Sequence, residues 1–147
     1  MKVNIKRIDK SLPLPEYQTP GSVAFDVYSR IDMLIEPKTI ARIPTNLIIQ
    51  TPKGYMLTLV PRSSTPVKKG LSIPHGIGII DQDYCGEKDE ILLQVYNFTD
   101  QKVEVKKGER MGQATFIRVD TCEWEEVETI EKQSRGGFGS TDQNKKI

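Results

Sequence analysis

"GYMLTLVPRSSTPVKKG", residues 54–70, is the stretch from which the fold class is read. Its first seven residues form a short apolar run of strand length. The residues after Pro61 offer one short helical turn: Ser64 or Thr65 can cap it, Pro66 fits an early helical position, and Gly70 can end it. Outward from here, no segment sustains apolar spacing at i, i+3, i+4, i+7 over more than two turns, whereas short β-branched runs recur. Strands are expected in "VNIKRI", "TIARIPTNLIIQ", "GYMLTLV", "GIGIID", "EILLQVYNF", "KVEVKKG", "QATFIRV" and "CEWEEVE", parted by the turn signals "TPKG", "NFTDQK" and "KKGE". Many short strands at this spacing predict an all-β sandwich, jelly roll or small barrel.

The 147 residues fit a single domain whose core needs no metal or disulfide staple. With 21 Lys and Arg against 20 Asp and Glu, no global field favours nucleic acid or an anionic membrane surface. Phosphate must therefore be met by local groups. No apolar stretch reaches bilayer length, and "MKVNIKRIDKSLPLP" lacks a secretory core, so a soluble, cytoplasmic protein is expected. Cys85 and Cys122 lack CxxC spacing and His75 is the single histidine, which predicts reduced thiols and no zinc site. Residues 131–147 are polar and glycine-rich with little but Phe138 to bury, and are expected to be a mobile tail beyond a β domain of residues 1–130.

Five stretches carry possible chemistry. In "PRSST", the forked donors of Arg62 and the hydroxyls of Ser63 and Ser64 stand beside free amides opening a helical turn, a candidate anion site or an ordinary cap. In "SRGGFGST", glycines allow close backbone approach, Arg135, Ser140 and Thr141 can donate to phosphate, and Phe138 offers a flat face to a base; a linker explains the same composition. In "GIGIIDQDYCGE", either Asp81 or Asp83 can be a working carboxylate or a solvated turn residue, and Tyr84 can pack on a sugar or on the sheet. "VAFDVYS" sets Asp26 in an apolar alternation, costly unless it is paired, exposed or near a metal. "ERMGQATF" brings Arg110 and Gln113 into a strand, three apart.

Taken in order, "VAFDVYS", "PRSS", "GIIDQDYCGE", "GERMGQ" and "GGFGST" resemble the five motifs of the homotrimeric dUTP pyrophosphatases, over about residues 21–141. The resemblance implies a β jelly roll or distorted barrel, a homotrimer with active sites shared between subunits, and a C-terminal tail completing each. It implies hydrolysis of dUTP to dUMP and pyrophosphate with Mg2+, limiting uracil in DNA and supplying dUMP for thymidylate synthesis. Asp81 matches the carboxylate that activates water, and Tyr84 the aromatic that packs on deoxyribose. Arg62, Ser63, Ser64 and Gln113 match phosphate contacts, and Asp26 an acid reaching the metal through water. The hairpin from His75 through Gly78, Ile79 and Ile80 would read the uracil edge. Phe138 would cover the base, and Arg135, Ser140 and Thr141 would close over the phosphates. The chain departs from the family pattern at Ala24, where glycine is usual, at Cys85, where arginine is frequent, and at Gln133, where the tail arginine usually stands.

Two alternatives remain open at this level. A dCTP deaminase shares the fold and an "RSS" stretch, yet its strand glutamate corresponds to Gln94 here, which cannot shuttle a proton. A non-catalytic nucleotide sensor or protein-binding relative is the other. Neither stable nucleic-acid nor membrane binding is expected, and a regulatory protein partner is left unknown.

Overall fold

The computed structural model describes residues 1–134, 136 and 137. Along the chain run β1 (Ile5–Arg7), β2 (Phe25–Tyr28), β3 (Met33–Ile35), β4 (Ile40–Pro44), β5 (Leu47–Ile49) and β6 (Tyr55–Pro61). There follow α1 (Thr65–Lys69), β7 (Leu71–Ser72), β8 (Gly78–Ile80), β9 (Leu92–Asn97), β10 (Val103–Val105) and β11 (Arg110–Arg118). All pairings are antiparallel, in a four-stranded sheet β2-β11-β6-β8, a three-stranded sheet β4-β9-β7, and the pairs β1-β5 and β10-β3. The architecture is the all-β jelly-roll class read from the sequence.

One hydrophobic cluster joins the two larger sheets. Val27, Leu57, Leu59 and Ala114 enter it from the first, and Ile43, Leu71, Leu93 and Val95 from the second. In β9 burial alternates, with Leu93, Val95 and Asn97 inward and Leu92, Gln94 and Tyr96 outward, as a strand covered on one face requires. The sheets touch at Gly112, where an added Cβ would lie 2.9 Å from the Val60 carbonyl and 3.2 Å from a Leu93 methyl.

The helical turn forms where expected, although Ser64 makes no side-chain cap bond; Pro66 lies in the first turn. Gly70 closes it at φ 65° and donates its N–H to the Pro66 carbonyl. A side chain there would also collide with Thr99.

Several expectations need correction. "TIARIPTNLIIQ" is two strands, because Asn46 adopts φ 72° between them. Its side chain holds that left-handed turn by accepting the Asp9 N–H and donating to the Asp9 carbonyl. "CEWEEVE" is no strand: no segment of the described chain lies alongside to pair its backbone, and Trp124 is 92% exposed. Strands β2, β3 and β7, two to four residues long, lie outside the expected strands. The strand before Asp81, β8, lies at a sheet edge, and Ile79 is 56% exposed.

Candidate active site

Strand β8 pairs with β6 along one edge only, in the register Leu57↔Ile80, Thr58↔Ile79 and Leu59↔Gly78. Among the described residues its other edge is unpaired, so backbone N–H and C=O groups of this strand remain free. They border a cleft of about 440 Å³ lined by His75, Gly78, Ile79, Ile80 and Tyr84, the residues expected to meet the nucleoside. Leu59, Ile73 and Leu93 supply apolar floor. Gly78 sits so near Leu59, 3.2 Å from an added Cβ to both the Leu59 carbonyl and Cβ, that any side chain would push the edge strand outward.

Local bonds shape this cleft. The His75 Nδ1–H donates to the Ile77 carbonyl at 2.9 Å, folding the loop into β8. Tyr84 donates its hydroxyl to the Glu90 carbonyl at 3.2 Å. Glu90 is itself fixed by Arg30 through two bonds of 2.8 Å and by the Asn46 N–H at 2.8 Å. This fork holds the Arg30 guanidinium above its ordinary pKa, chiefly through the Glu90 hydrogen bonds. The ring orientation of Tyr84 thus rests on a paired charge beneath it. Asp81 follows β8 directly, is exposed, and among the described residues its carboxylate has no hydrogen-bond partner. Its carbonyl accepts the Tyr84 N–H, closing the turn.

A second cluster is built across three adjacent strands, β2, β11 and β6. Asp26 on β2 is 1% exposed. Its Oδ1 lies 3.2 Å from Arg62 Nε and 3.4 Å from Gln113 Nε2, and its Oδ2 lies 3.2 Å from Arg110 Nη1. The Arg62 contact is one of charge: its buried Nε is close enough but off the line of a hydrogen bond. Arg110 and Gln113 are three apart, and a regular strand would turn them to opposite faces. The register slips at Met111, so that Arg110 pairs with Tyr28 and Gly112 with Val27. That bulge restores the parity and sets both side chains on Asp26. Arg62, just past β6, enters the same row because Pro61 pairs with Gly112.

Beside this row lies a smaller cleft of about 90 Å³ lined by Arg62, Ser64, Thr65, Lys68, Lys69 and Arg110, among others. Lys69 is tied to Glu109 at 2.7 Å. Ser63 is exposed next to it. Four cationic side chains line it against Glu109 at the rim and Asp26 behind the arginines, and the excess of positive charge makes this an anion-receiving surface.

The expected residues therefore fall into two groups. Those for the nucleoside converge in the larger cleft, and those for phosphate converge near Asp26; the two clefts share no lining residue. Arg135, Phe138, Ser140 and Thr141 lie outside the described residues. Sequence reading missed Arg42 and Gln94 as walls of the larger cleft, and Lys68, Lys69 and Arg110 at the smaller. Arg110 and Gln94 had signals: Arg110 as a cation three before Gln113, whose meaning depended on a bulge, and Gln94 as the residue at the deaminase's glutamate position. The residues present do not fit a protein-held magnesium ion. Among those described, no three His, Cys, Asp or Glu side chains converge, and each oxygen of Asp26 faces a cation. No helix of the described residues is long and apolar enough to cross a membrane.

The dUTPase family model matches residues 10–142. A deoxyuridine 5'-triphosphate nucleotidohydrolase of Dictyoglomus turgidum is 40% identical over 147 residues, covering 96% of this chain and 98% of its own. One from Desulfitobacterium hafniense is 38% identical over 96% of this chain and 95% of its own. Among solved structures, the chain is similar to a G164S mutant dUTPase of Staphylococcus bacteriophage 80alpha with dUpNHpp. That match has a TM-score of 0.82 and 25% identity, over 95% and 98% of the two chains. It is also similar to the dUTPase of Streptococcus mutans, with a TM-score of 0.75 and 29% identity over 82% and 98%.

Proposed function

The chain belongs to the dUTPase family, and from that premise we infer that it is a dUTP diphosphatase, cleaving dUTP to dUMP and pyrophosphate. The consequence would be less uracil offered to DNA synthesis and a supply of dUMP for thymidylate. The observation that carries the assignment of the base is the free edge of β8 facing a cleft with an apolar floor. Uracil presents acceptor, donor and acceptor along one edge, the same alternation a peptide strand presents, so it can pair with β8 as a further strand would. In this reading Gly78, Ile79 and Ile80 supply backbone partners, and the His75 loop crowds out a thymine methyl. Tyr84 packs on the deoxyribose where a 2'-hydroxyl would clash.

Asp81 would take the proton from a water aligned with the α-phosphorus, its exposure leaving the carboxylate free to do so. Arg62, Ser63, Ser64 and Gln113 would hold the phosphates and oppose the charge that develops as the α–β bridge breaks. Magnesium enters only as the counter-ion a triphosphate brings, and no step depends on a protein-held ion. As the family resemblance implies, the working site would be assembled between copies of the chain in a homotrimer, with a body of residues 1–130 and a tail of 131–147. From that tail, Arg135, Phe138, Ser140 and Thr141 would close over the substrate. The trimer would act in the cytoplasm. A deaminase is disfavoured because Gln94, on the cleft wall, carries a carboxamide where proton shuttling needs a carboxylate.

The test is release of pyrophosphate from dUTP, dCTP, dTTP and UTP in parallel, with base deamination followed. Turnover of dUTP alone is expected; uracil formed from dCTP, or no turnover at all, would overturn the reading. Asp81→Asn is expected to lower kcat by about 100- to 10,000-fold while still binding nucleotide.

A further inference from the structure

Arg30 and Glu90 lie outside every stretch that carries the family resemblance, yet they meet in an ion pair one hydrogen bond removed from Tyr84. Their side chains are 28% and 12% exposed, and Glu90 uses both oxygens. Its Oε1 accepts the Arg30 Nε–H and the Asn46 N–H, and its Oε2 accepts the Arg30 Nη2–H, each at 2.8 Å. A pair held mostly out of water adds little net stability, because the cost of dehydrating two charges offsets most of their attraction. The loop from Cys85 to Glu90 has other ties: the Asp89 carboxylate accepts the Gly86 N–H at 2.7 Å, and Lys6 pairs with Glu87. What the pair does fix is one peptide plane. The Ile91 N–H donates to the Leu47 carbonyl at 2.9 Å, so the Glu90 carbonyl of the same trans peptide points the other way, where it accepts the Tyr84 hydroxyl at 3.2 Å. Glu90 thus passes to the ring a position set 60 residues earlier in the chain, where the Pro44 carbonyl accepts the Arg30 N–H at 2.8 Å.

Tyr84 is 40% exposed, and without that bond its ring would be free to change rotamer. A ring that excludes a hydroxyl must keep its place to within about 0.5 Å, since one added oxygen is rejected only by a wall that does not yield. We propose that the Arg30–Glu90 pair positions Tyr84 and thereby sets how strictly the cleft separates a 2'-deoxynucleotide from a ribonucleotide. Both are positioning residues that act through the Glu90 carbonyl and touch no substrate atom. The role rests on the dUTP reading above, in which Tyr84 packs on the deoxyribose.

The experiment measures, by calorimetry, affinity for the non-hydrolysable imido analogues of dUTP and UTP, and reads the ratio of the two dissociation constants. Arg30→Gln removes the fork and is expected to narrow that ratio about 10-fold, while kcat for dUTP stays within a few-fold of wild type because Asp81 is untouched. A pair that only stabilises the fold would lower the melting temperature and leave the ratio alone, so an unchanged ratio would overturn the proposal. Arg30→Lys keeps the charge but not the fork and should recover part of the ratio. Tyr84→Phe, which deletes the hydroxyl alone, should narrow it as far as Arg30→Gln does. Combining the two should do no more than either, because both cut one link, and effects that multiply would overturn it. If melting shows that Arg30→Gln does not fold, the nearly isosteric Glu90→Gln takes its place, and a wild-type ratio in Tyr84→Phe overturns the link by itself. Failure of the wild-type chain to bind the deoxy analogue at all would instead defeat the dUTP reading.

Discussion

Asn97 shows how much a single buried amide can organise. Fully buried at the end of β9, it donates to the carbonyls of Ile35, Glu36 and Gln101 and accepts the N–H and hydroxyl of Thr99. Two backbone segments meet on one side chain, the distant Ile35 and Glu36 and the turn from Thr99 to Gln101 that follows it. Asn97→Ala should therefore cost about 3 kcal/mol in denaturant unfolding, since several buried partners lose their bond at once. A change under 1 kcal/mol would mean that water replaces the amide. In the sequence this residue is only the polar end of an apolar run. The chemistry-bearing residues were easier to read, because Asp81, Tyr84 and Arg62 sit in short stretches whose types already suggest a base, a sugar and a phosphate. Asp26 was legible as an anomaly and no more. Its partners Arg62, Arg110 and Gln113 lie 36, 84 and 87 positions along the chain, and no local pattern names them.

Elements were legible where they obeyed their period and illegible where one residue broke it. Strands β6, β9 and most of β11 were visible as apolar runs, and α1 as a capped turn ending in glycine. The break at Asn46 was hidden because its cause is a contact with Asp9. The bulge at Met111 was hidden for a similar reason: an extra residue looks like any other until its partner strand is known. Its importance is open to a direct trial. Deleting Met111 removes the extra residue and leaves Arg110 two positions before Gln113, so a regular strand keeps both on one face and the Arg110–Asp26 contact should survive. The cost is the loss of a core side chain, about 2–4 kcal/mol in denaturant unfolding. Arg110 turned away from Asp26 in the structure of the deletion variant would show that the bulge itself is needed to place it.

At the level of the molecule, the fold class followed from many short strands, whereas the division of the site did not. Only the folded chain shows that His75, Gly78, Ile80 and Tyr84 border one cleft and Arg62, Ser64 and Lys68 another, with no lining residue in common; Asp81 follows β8 outside both linings. Complementation tests the consequence. Asp81→Asn and Arg62→Ala, each expected to be inactive alone, should regain turnover when unfolded together and refolded as mixed assemblies. Absence of recovery in assemblies shown by mass to be mixed would place both residues on the same working site within one copy. In the shared-site assembly proposed above, specific activity becomes a matter of mass action. An enzyme whose halves belong to different copies loses turnover on dilution without any chain unfolding, regains it at a rate set by encounter between chains, and is held together by the very substrate that bridges them.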